Sequence, residues 1–245
     1  MKRLVAVPVY NEEKTLRGVL ESIRKFHKGC LLVINDGSTD ASAEVIRSFT
    51  DVICISHISR AHNAGYGQSM IDAFRYALDE GYDELVTIDC DDQHEPRHIP
   101  ALFDSIAGVD VCSCSRYLRE SAEDDTPPPD RMAINLKLTG IINRVTGYGL
   151  TDSFCGMKGY RVAALKPLNL TETGYAFPLQ FWIQAFHFGL TVREFPIARI
   201  YKNHSRTFGE KLDNADARLA YYYSVLEKEM KRWSMSLPLE LIPTT

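Results

Sequence analysis

Five short apolar runs, at residues 4–9, 31–34, 52–55, 85–88 and 109–112, alternate with segments whose apolar residues recur at helical spacing, at about 15–26, 40–49, 68–78 and 96–106. Short apolar runs suit buried strands, and a 3.6-residue period suits amphipathic helices. Parallel strands cannot be joined by a tight turn and need a crossover, usually a helix. The alternation therefore restricts the chain to an α/β fold, a mostly parallel sheet with helices on both faces. Thr39 and Asp40 can cap the second helix, and Pro96 suits a first helical position.

After residue 118 the pattern changes. Residues 119–130 are acidic, rich in proline and without periodicity, so a loop or lid is expected there. Helical patterns resume at about 132–145 and 178–188. A strand-like stretch at 192–200 leads into a polar segment, 201–211, and a last helix is predicted over 215–232. With no internal repeat and no linker, the expectation is one domain over 1–245. Within it 1–117 form one half, 118–211 a second, and 212–245 a C-terminal helix and tail.

The chain's 245 residues, 45% of them apolar, suffice for one large core. A formal net charge of -4 gives no reason to expect nucleic-acid binding. The six cysteines form no CxxC pair and several lie in apolar runs, so buried reduced thiols in a cytoplasmic protein are expected. No apolar segment resembles a signal peptide or approaches the ~20 residues of a membrane helix. The expectation is a soluble protein, at most peripheral on a membrane surface.

Three polar loops follow the first, second and fourth strands: Pro8-Val9-Tyr10-Asn11-Glu12-Glu13, Asn35-Asp36-Gly37-Ser38-Thr39-Asp40 and Asp89-Cys90-Asp91-Asp92-Gln93. In a parallel sheet all three emerge at the carboxyl edge, where open α/β folds bind ligands. Asp89 and Asp91 are two apart and so share a face. Carboxylates that close repel unless a cation lies between them, and hard oxygen donors suit Mg²⁺ or Mn²⁺ with a substrate phosphate. His94-Glu95-Pro96-Arg97-His98 matches the zinc-protease pattern HExxH, but Pro96 is expected to begin the helix and leave His94 outside it. Gly65-Tyr66-Gly67 lacks the third glycine of a dinucleotide fingerprint. Tyr221–Tyr223 and Phe181-Trp182 are expected to be packing faces.

The motifs Val-Pro-Val-Tyr-Asn-Glu, Asn-Asp-Gly-Ser-Thr-Asp, Asn63-Ala-Gly-Tyr-Gly and Asp-Cys-Asp resemble the family 2 glycosyltransferases of GT-A fold. Within these, the branch of dolichyl- and polyprenyl-phosphate sugar transferases is most similar. Its strand-four motif, Asp-Ala-Asp-Leu-Gln-His-Pro-Pro, stands beside Asp89-Cys90-Asp91-Asp92-Gln93-His94-Glu95-Pro96. The resemblance implies nucleotide binding by Pro8, Tyr10, Glu12 and Asp36, and a divalent-metal and diphosphate site at Asp89, Asp91 and Gln93. Ser115-Arg116-Tyr117 resembles the family's Gly-Ser-Arg-Tyr, with Cys114 in place of the glycine. Residues 151–158 resemble the segment that closes the sugar and acceptor pocket. Arg206-Thr-Phe-Gly209 resembles an Arg-x-x-Gly element near the phosphates. The Ser-Lys that normally follows is replaced by Lys211 and Leu212.

The implied activity is transfer of a sugar from a nucleoside-diphosphate sugar, with inversion. A metal on Asp89 and Asp91 would steady the departing diphosphate, with Arg206 or Lys211 adding charge. A lipid-phosphate acceptor, a polyprenyl or dolichyl phosphate bound by Arg116 and Arg131, needs no general base. A soluble hydroxyl acceptor needs one, and Asp152 is then the candidate. Two rivals stand against this. A sugar-1-phosphate nucleotidyltransferase would carry a glycine-rich loop after strand one, where this chain has Tyr10-Asn11-Glu12-Glu13. A non-catalytic nucleotide-sugar-binding protein would not need Asp89, Asp91 and Gln93 together.

Overall fold

The computed structural model describes residues 1–49, 55–119, 124–201, 209 and 212–235. One seven-stranded sheet organises them, in the order β3-β2-β1-β4-β6-β5-β7. The strands are β1 (Arg3–Val9), β2 (Cys30–Asn35), β3 (Ile55–Ser59), β4 (Glu84–Thr87), β5 (Val111–Ser115), β6 (Lys158–Arg161) and β7 (Val192–Pro196). Every pairing is parallel except the two made by β6, which runs antiparallel between β4 and β5. All strands other than β6 therefore end on one edge.

Both faces of the sheet are covered, and this is why its central strands read as unbroken apolar runs. On one face Leu4, Ala6, Leu32 and Ile34 pack against α3 (Tyr66–Asp79), α5 (Pro129–Thr146), α7 (Phe177–His187) and α8 (Ala215–Arg232). Phe74, Phe181 and Trp182 fill the centre of that layer. On the other face Val5, Val7, Val9, Leu31 and Val33 meet α1 (Leu16–Phe26), α2 (Ser42–Arg47) and α4 (Ile99–Ser105). The alternate residues of β1 and β2 thus serve different cores, as the period of a strand requires.

The departures from expectation have local causes. β6 and the short α6 (Val162–Leu165) were not predicted: Lys158-Gly-Tyr-Arg has no strand pattern of its own and is extended because β4 and β5 flank it. β5 begins two residues later than its apolar run, since Val109 closes a turn onto Ile106 O, and it continues through the buried Ser113 and Ser115. β3 is an edge strand of polar alternation, Ile55–Ser59, and residues 52–54 of the expected run lie outside the described residues. The predicted helix at 96–106 is a 3-10 turn, Pro96–His98, followed by α4. β7 ends at Pro196 instead of reaching residue 200. One cysteine expectation is overturned: Cys30, half-buried at the start of β2, is disulfide-bonded, whereas Cys90, Cys112, Cys114 and Cys155 are buried thiols.

Candidate active site

The first two loops at the carboxyl edge are stitched into one wall. Asn11 sits in the left-handed region (φ 56°), a conformation that Asn tolerates better than most residues. Its amide oxygen accepts from Thr39 N at 2.8 Å, and its own N–H donates to Ser38 Oγ at 3.0 Å. Glu12 N donates to Ser42 Oγ at 2.9 Å, and the Glu13 carboxylate accepts from Ala41 N at 2.9 Å. Asn11 and Glu13 thus fix the wall, while Pro8, Tyr10 and Glu12 line a cavity of about 730 Å³ beside it.

Asp36, 3% exposed at the end of β2, accepts from Ala64 N at 2.9 Å, Gly65 N at 2.8 Å and Arg60 Nη1 at 2.5 Å. Arg60 also pairs with Asp72 on α3. The carboxylate therefore folds the 60–65 segment against that wall as well as lining the cavity. Gly37 is obligatory: its φ is +69°, and a Cβ there would fall 2.6 Å from Asn63 N.

The third loop carries the paired carboxylates. Asp91 Oδ1 accepts from Gln93 N at 3.1 Å, closing a turn in which Asp92 is left-handed (φ 60°). Asp89 lies against the backbone of Gly156, where a Cβ would fall 2.6 Å from its Cγ and inside its carboxylate oxygens. Thr87 Oγ1 donates to Gly156 O at 2.8 Å, and Lys158 Nζ donates to Cys155 O, so the supporting turn is itself held. His94 Nε2 is 3.4 Å from Asp89 Oδ2, while its buried Nδ1 has no hydrogen-bond partner among the described residues. Because His94 precedes the 3-10 turn and His98 pairs with Glu95, the two histidines share no continuous α-helix, as a zinc-protease motif would need.

No three His, Cys, Asp or Glu residues form a preformed metal cage among the described residues. The donors that line the cavity, Asp89, Asp91 and the Gln93 amide, are all hard oxygens. That set fits an ion such as Mg²⁺ or Mn²⁺, which takes one or two protein carboxylates and completes its shell with water and substrate phosphate.

The opposite wall is cationic and aromatic. Arg116, just past β5, Arg131 and Asn135 on α5, and Arg218 and Tyr222 on α8 all line it. Asp152, the base candidate for a hydroxyl acceptor, is not among the residues that line the cavity. It is 0% exposed and accepts from Arg116 Nε at 2.6 Å, Arg116 Nη2 at 3.0 Å, Asn135 Nδ2 at 2.8 Å and Phe154 N at 3.1 Å. Burial alone would push this carboxyl up, but the Arg116 guanidinium and the Asn135 amide hold it well below the usual carboxylate range. It fixes the orientation of Arg116. Glu194 of β7 accepts from Thr151 N and Asp152 N at 2.8 and 3.1 Å and locks the turn from behind.

Of the residues singled out in the sequence, Pro8, Tyr10, Glu12, Asp36, Asp89, Asp91, Gln93, Arg116 and Arg131 converge on this one cavity. Arg206 and Lys211 lie outside the described residues. Sequence reasoning missed Tyr66 and Tyr175, stacked with ring centroids 6.2 Å apart, and Arg218, which donates to Asp130 Oδ2 at 2.5 Å and Leu212 O at 2.8 Å. Gly65-Tyr66-Gly67 opens α3, and the glycines admit the 172–174 backbone, leaving no room for a Cβ. Phe181 and Trp182 are core residues, as expected, whereas Tyr222 both packs and lines the cavity.

Residues 4–168 match the profile of Glycosyl transferase family 2. The chain belongs to this family. An uncharacterized protein of Methanocaldococcus jannaschii is 30% identical to it over 84% of each chain. The undecaprenyl-phosphate mannosyltransferase of Micrococcus luteus is 27% identical over 80% of this chain and 83% of its own length. The UDP-N-acetylglucosamine–dolichyl-phosphate N-acetylglucosaminyltransferase of Methanococcus voltae is 27% identical over 83% of this chain and 87% of its own. Among solved structures, glucosyl-3-phosphoglycerate synthase of Mycobacterium tuberculosis in complex with UDP superposes with a TM-score of 0.71 at 19% identity, over 96% of this chain and 81% of that one. The same enzyme has been crystallised with Mn²⁺ and UDP. The architecture of this family 2 glycosyltransferase is thus of the GT-A kind.

Proposed function

We propose that the protein transfers a sugar, with inversion, from a nucleoside-diphosphate sugar to an anionic acceptor of the polyprenyl-phosphate class. One observation carries the reading: a stitched nucleotide wall, a pair of oxygen-donor carboxylates and an arginine-lined wall face one another across a single cavity. Pro8, Tyr10, Glu12 and Asp36 would hold the nucleoside. Asp89, Asp91 and Gln93 would hold Mg²⁺ or Mn²⁺, which supplies Lewis-acid stabilisation of the departing diphosphate.

On the acceptor side, the carboxylates among the described lining residues are confined to the nucleotide and metal loops. A hydroxyl acceptor needs a base to take its proton. A phosphate acceptor is already anionic and needs instead the cations found there, and guanidinium groups suit it through forked hydrogen bonds. Arg116, pre-oriented by Asp152, and Arg131 are assigned to that phosphate. In this reading residues 1–117 serve the donor and 118–211 the acceptor, and Arg218 and Tyr222 add the last helix to the acceptor wall. The polyprenyl-phosphate acceptors named for the Micrococcus and Methanococcus relatives support the assignment.

A thermal-shift panel of GDP-, UDP- and dTDP-sugars with and without Mn²⁺ tests it. One nucleotide should stabilise the fold by about 2.7 kcal/mol at a hundredfold excess over Kd, chiefly when metal is present. Asp91→Ala should lose the metal-dependent part and turnover together. Full transfer in a chelator would overturn the metal assignment.

A further inference from the structure

The segment 169–176, just before α7, is neither helix nor strand, yet buried side chains of α7 and α8 satisfy its backbone. Gln184 Oε1 accepts from Asn169 N, and Gln180 Oε1 from both Thr171 N and Glu172 N, each at 2.7 Å. The two amides in turn donate to the Glu229 carboxylate of α8, at 2.7 Å apiece, and Glu229 is 2% exposed. Nearer the cavity, Glu172 Oε1 accepts from Gly174 N at 2.8 Å and from the Tyr221 hydroxyl of α8. The segment also lies on the start of α3. There Gln68 N donates to Thr173 O at 3.1 Å, and Gly65 and Gly67 leave room for the 172–174 backbone.

This scaffold fixes one aromatic side chain. Tyr175 lines the cavity, is 37% exposed, and stacks on Tyr66 of α3 with ring centroids 6.2 Å apart and planes inclined by 14°. Its neighbours belong to both walls. Burial, and then Asp89, Glu12 and Tyr10 of the carboxyl-edge loops, raise the Tyr175 phenol above its ordinary value. On the arginine-lined wall burial raises the Tyr222 phenol as well, against the opposing charge of Arg218, and Tyr175 adds to the effect. Tyr175 thus stands where the two walls come together.

In a sugar transfer the moving group has to occupy that junction. Its C1–O bond to the departing diphosphate breaks on one side as the bond to the acceptor oxygen forms on the other. A pyranose is polar around its rim, and its C–H face packs well on the electron-rich face of an aromatic ring. We propose that Tyr175 recognises the transferred sugar by stacking on the C–H face of a hexose, and that Glu172 and Tyr221 are the positioning residues that hold it there. This rests on the nucleoside-diphosphate-sugar reading and deepens it by naming the side chain that meets the sugar.

Calorimetry in the presence of Mn²⁺, with UDP against UDP-glucose and GDP against GDP-mannose, isolates the contribution of the hexose. For the pair that binds, Tyr175→Ala should raise the ratio of the sugar nucleotide's Kd to the diphosphate's Kd about fivefold, while the diphosphate's own Kd stays within about twofold. Tyr175→Phe keeps the ring and should keep the parent ratio. Tyr221→Phe releases Glu172 from α8 and should raise the ratio about twofold, yet add nothing in a Tyr175→Ala background. If Tyr221→Phe lowers the urea midpoint and leaves the ratio alone, its role is structural and the positioning assignment falls. An unchanged ratio in Tyr175→Ala, or equal weakening of diphosphate and sugar nucleotide, would overturn the sugar assignment while the donor reading stands. A parent protein that binds neither diphosphate nor sugar nucleotide would refute the donor reading and this proposal with it.

Discussion

Arg116→Met should strand a buried carboxylate beside this cavity. The Asp152 carboxylate is wholly enclosed, and the guanidinium supplies its two charged hydrogen bonds, at 2.6 and 3.0 Å. Removing one member of a buried ion pair costs about 3–5 kcal/mol. The Asn135 amide and Phe154 N–H remain, and the buried Lys158 ammonium still favours the anion, so the expected loss is near the lower bound, about 3 kcal/mol. Asp152→Asn leaves a guanidinium that borders the cavity and can draw on water, at about 1–3 kcal/mol. The double variant buries neither charge unpaired. Its cost should fall short of the sum by about 2 kcal/mol in urea titrations at neutral pH.

The pH dependence gives a second check. In the parent the folded carboxyl titrates below its unfolded value, so its stabilisation is complete above about pH 4 and is lost only in stronger acid. In Arg116→Met burial dominates and the folded value rises above the unfolded one. The variant is then least handicapped in acid, and the stability gap to the parent widens as the pH rises from about 5 to 8. An additive cycle, or a gap that does not change with pH, would refute the buried-pair account. The same Asp152→Asn protein should keep the acid limb of its kcat profile, and loss of that limb would return Asp152 to the role of base.

Two further outcomes follow from the geometry of the loops. Gly156→Ala places a methyl group inside the Asp89 carboxylate, so Mn²⁺ affinity measured by calorimetry with UDP present should drop at least about tenfold, with a smaller stability loss of about 1–3 kcal/mol from overpacking. Unchanged Mn²⁺ affinity would show that Asp89 does not hold the ion. Asp36→Ala strands Arg60 and the N–H groups of Ala64 and Gly65, so it should weaken donor binding by about 1–3 kcal/mol and also lower the urea midpoint. A variant with undiminished stability would mean that the 60–65 segment is held by other contacts.

Where the determining interactions are local, the residues alone decided the outcome. β1, β2 and β4 begin and end within a residue or two of their apolar runs, because a strand buried on both faces must be apolar throughout. α8 spans the predicted 215–232, with Asn214 as a side-chain cap accepting from Ala217 N at 2.9 Å. The short crossovers force β1, β2 and β4 to run in parallel, so the Tyr10, Asp36 and Asp89 loops had to meet on one edge, and their polarity marked that edge as a ligand site.

What the chain could not disclose locally depends on partners far away in sequence. β6 has no strand pattern because its conformation is imposed by β4 and β5, and its antiparallel course brings the 152–157 turn under the Asp89–Gln93 loop. From the sequence, Asp152 is the base candidate for a hydroxyl acceptor. Only packing reveals that Arg116, 36 residues earlier, saturates it and removes it from the cavity. Arg218 lies on a helix whose pattern signals packing, and it joins the cavity wall held by Asp130, 88 residues away, as well as by Leu212 O. Strand periodicity is written in neighbouring residues. The charge state and exposure of a side chain are set by whatever the fold brings against it, and that is decided by tertiary structure alone.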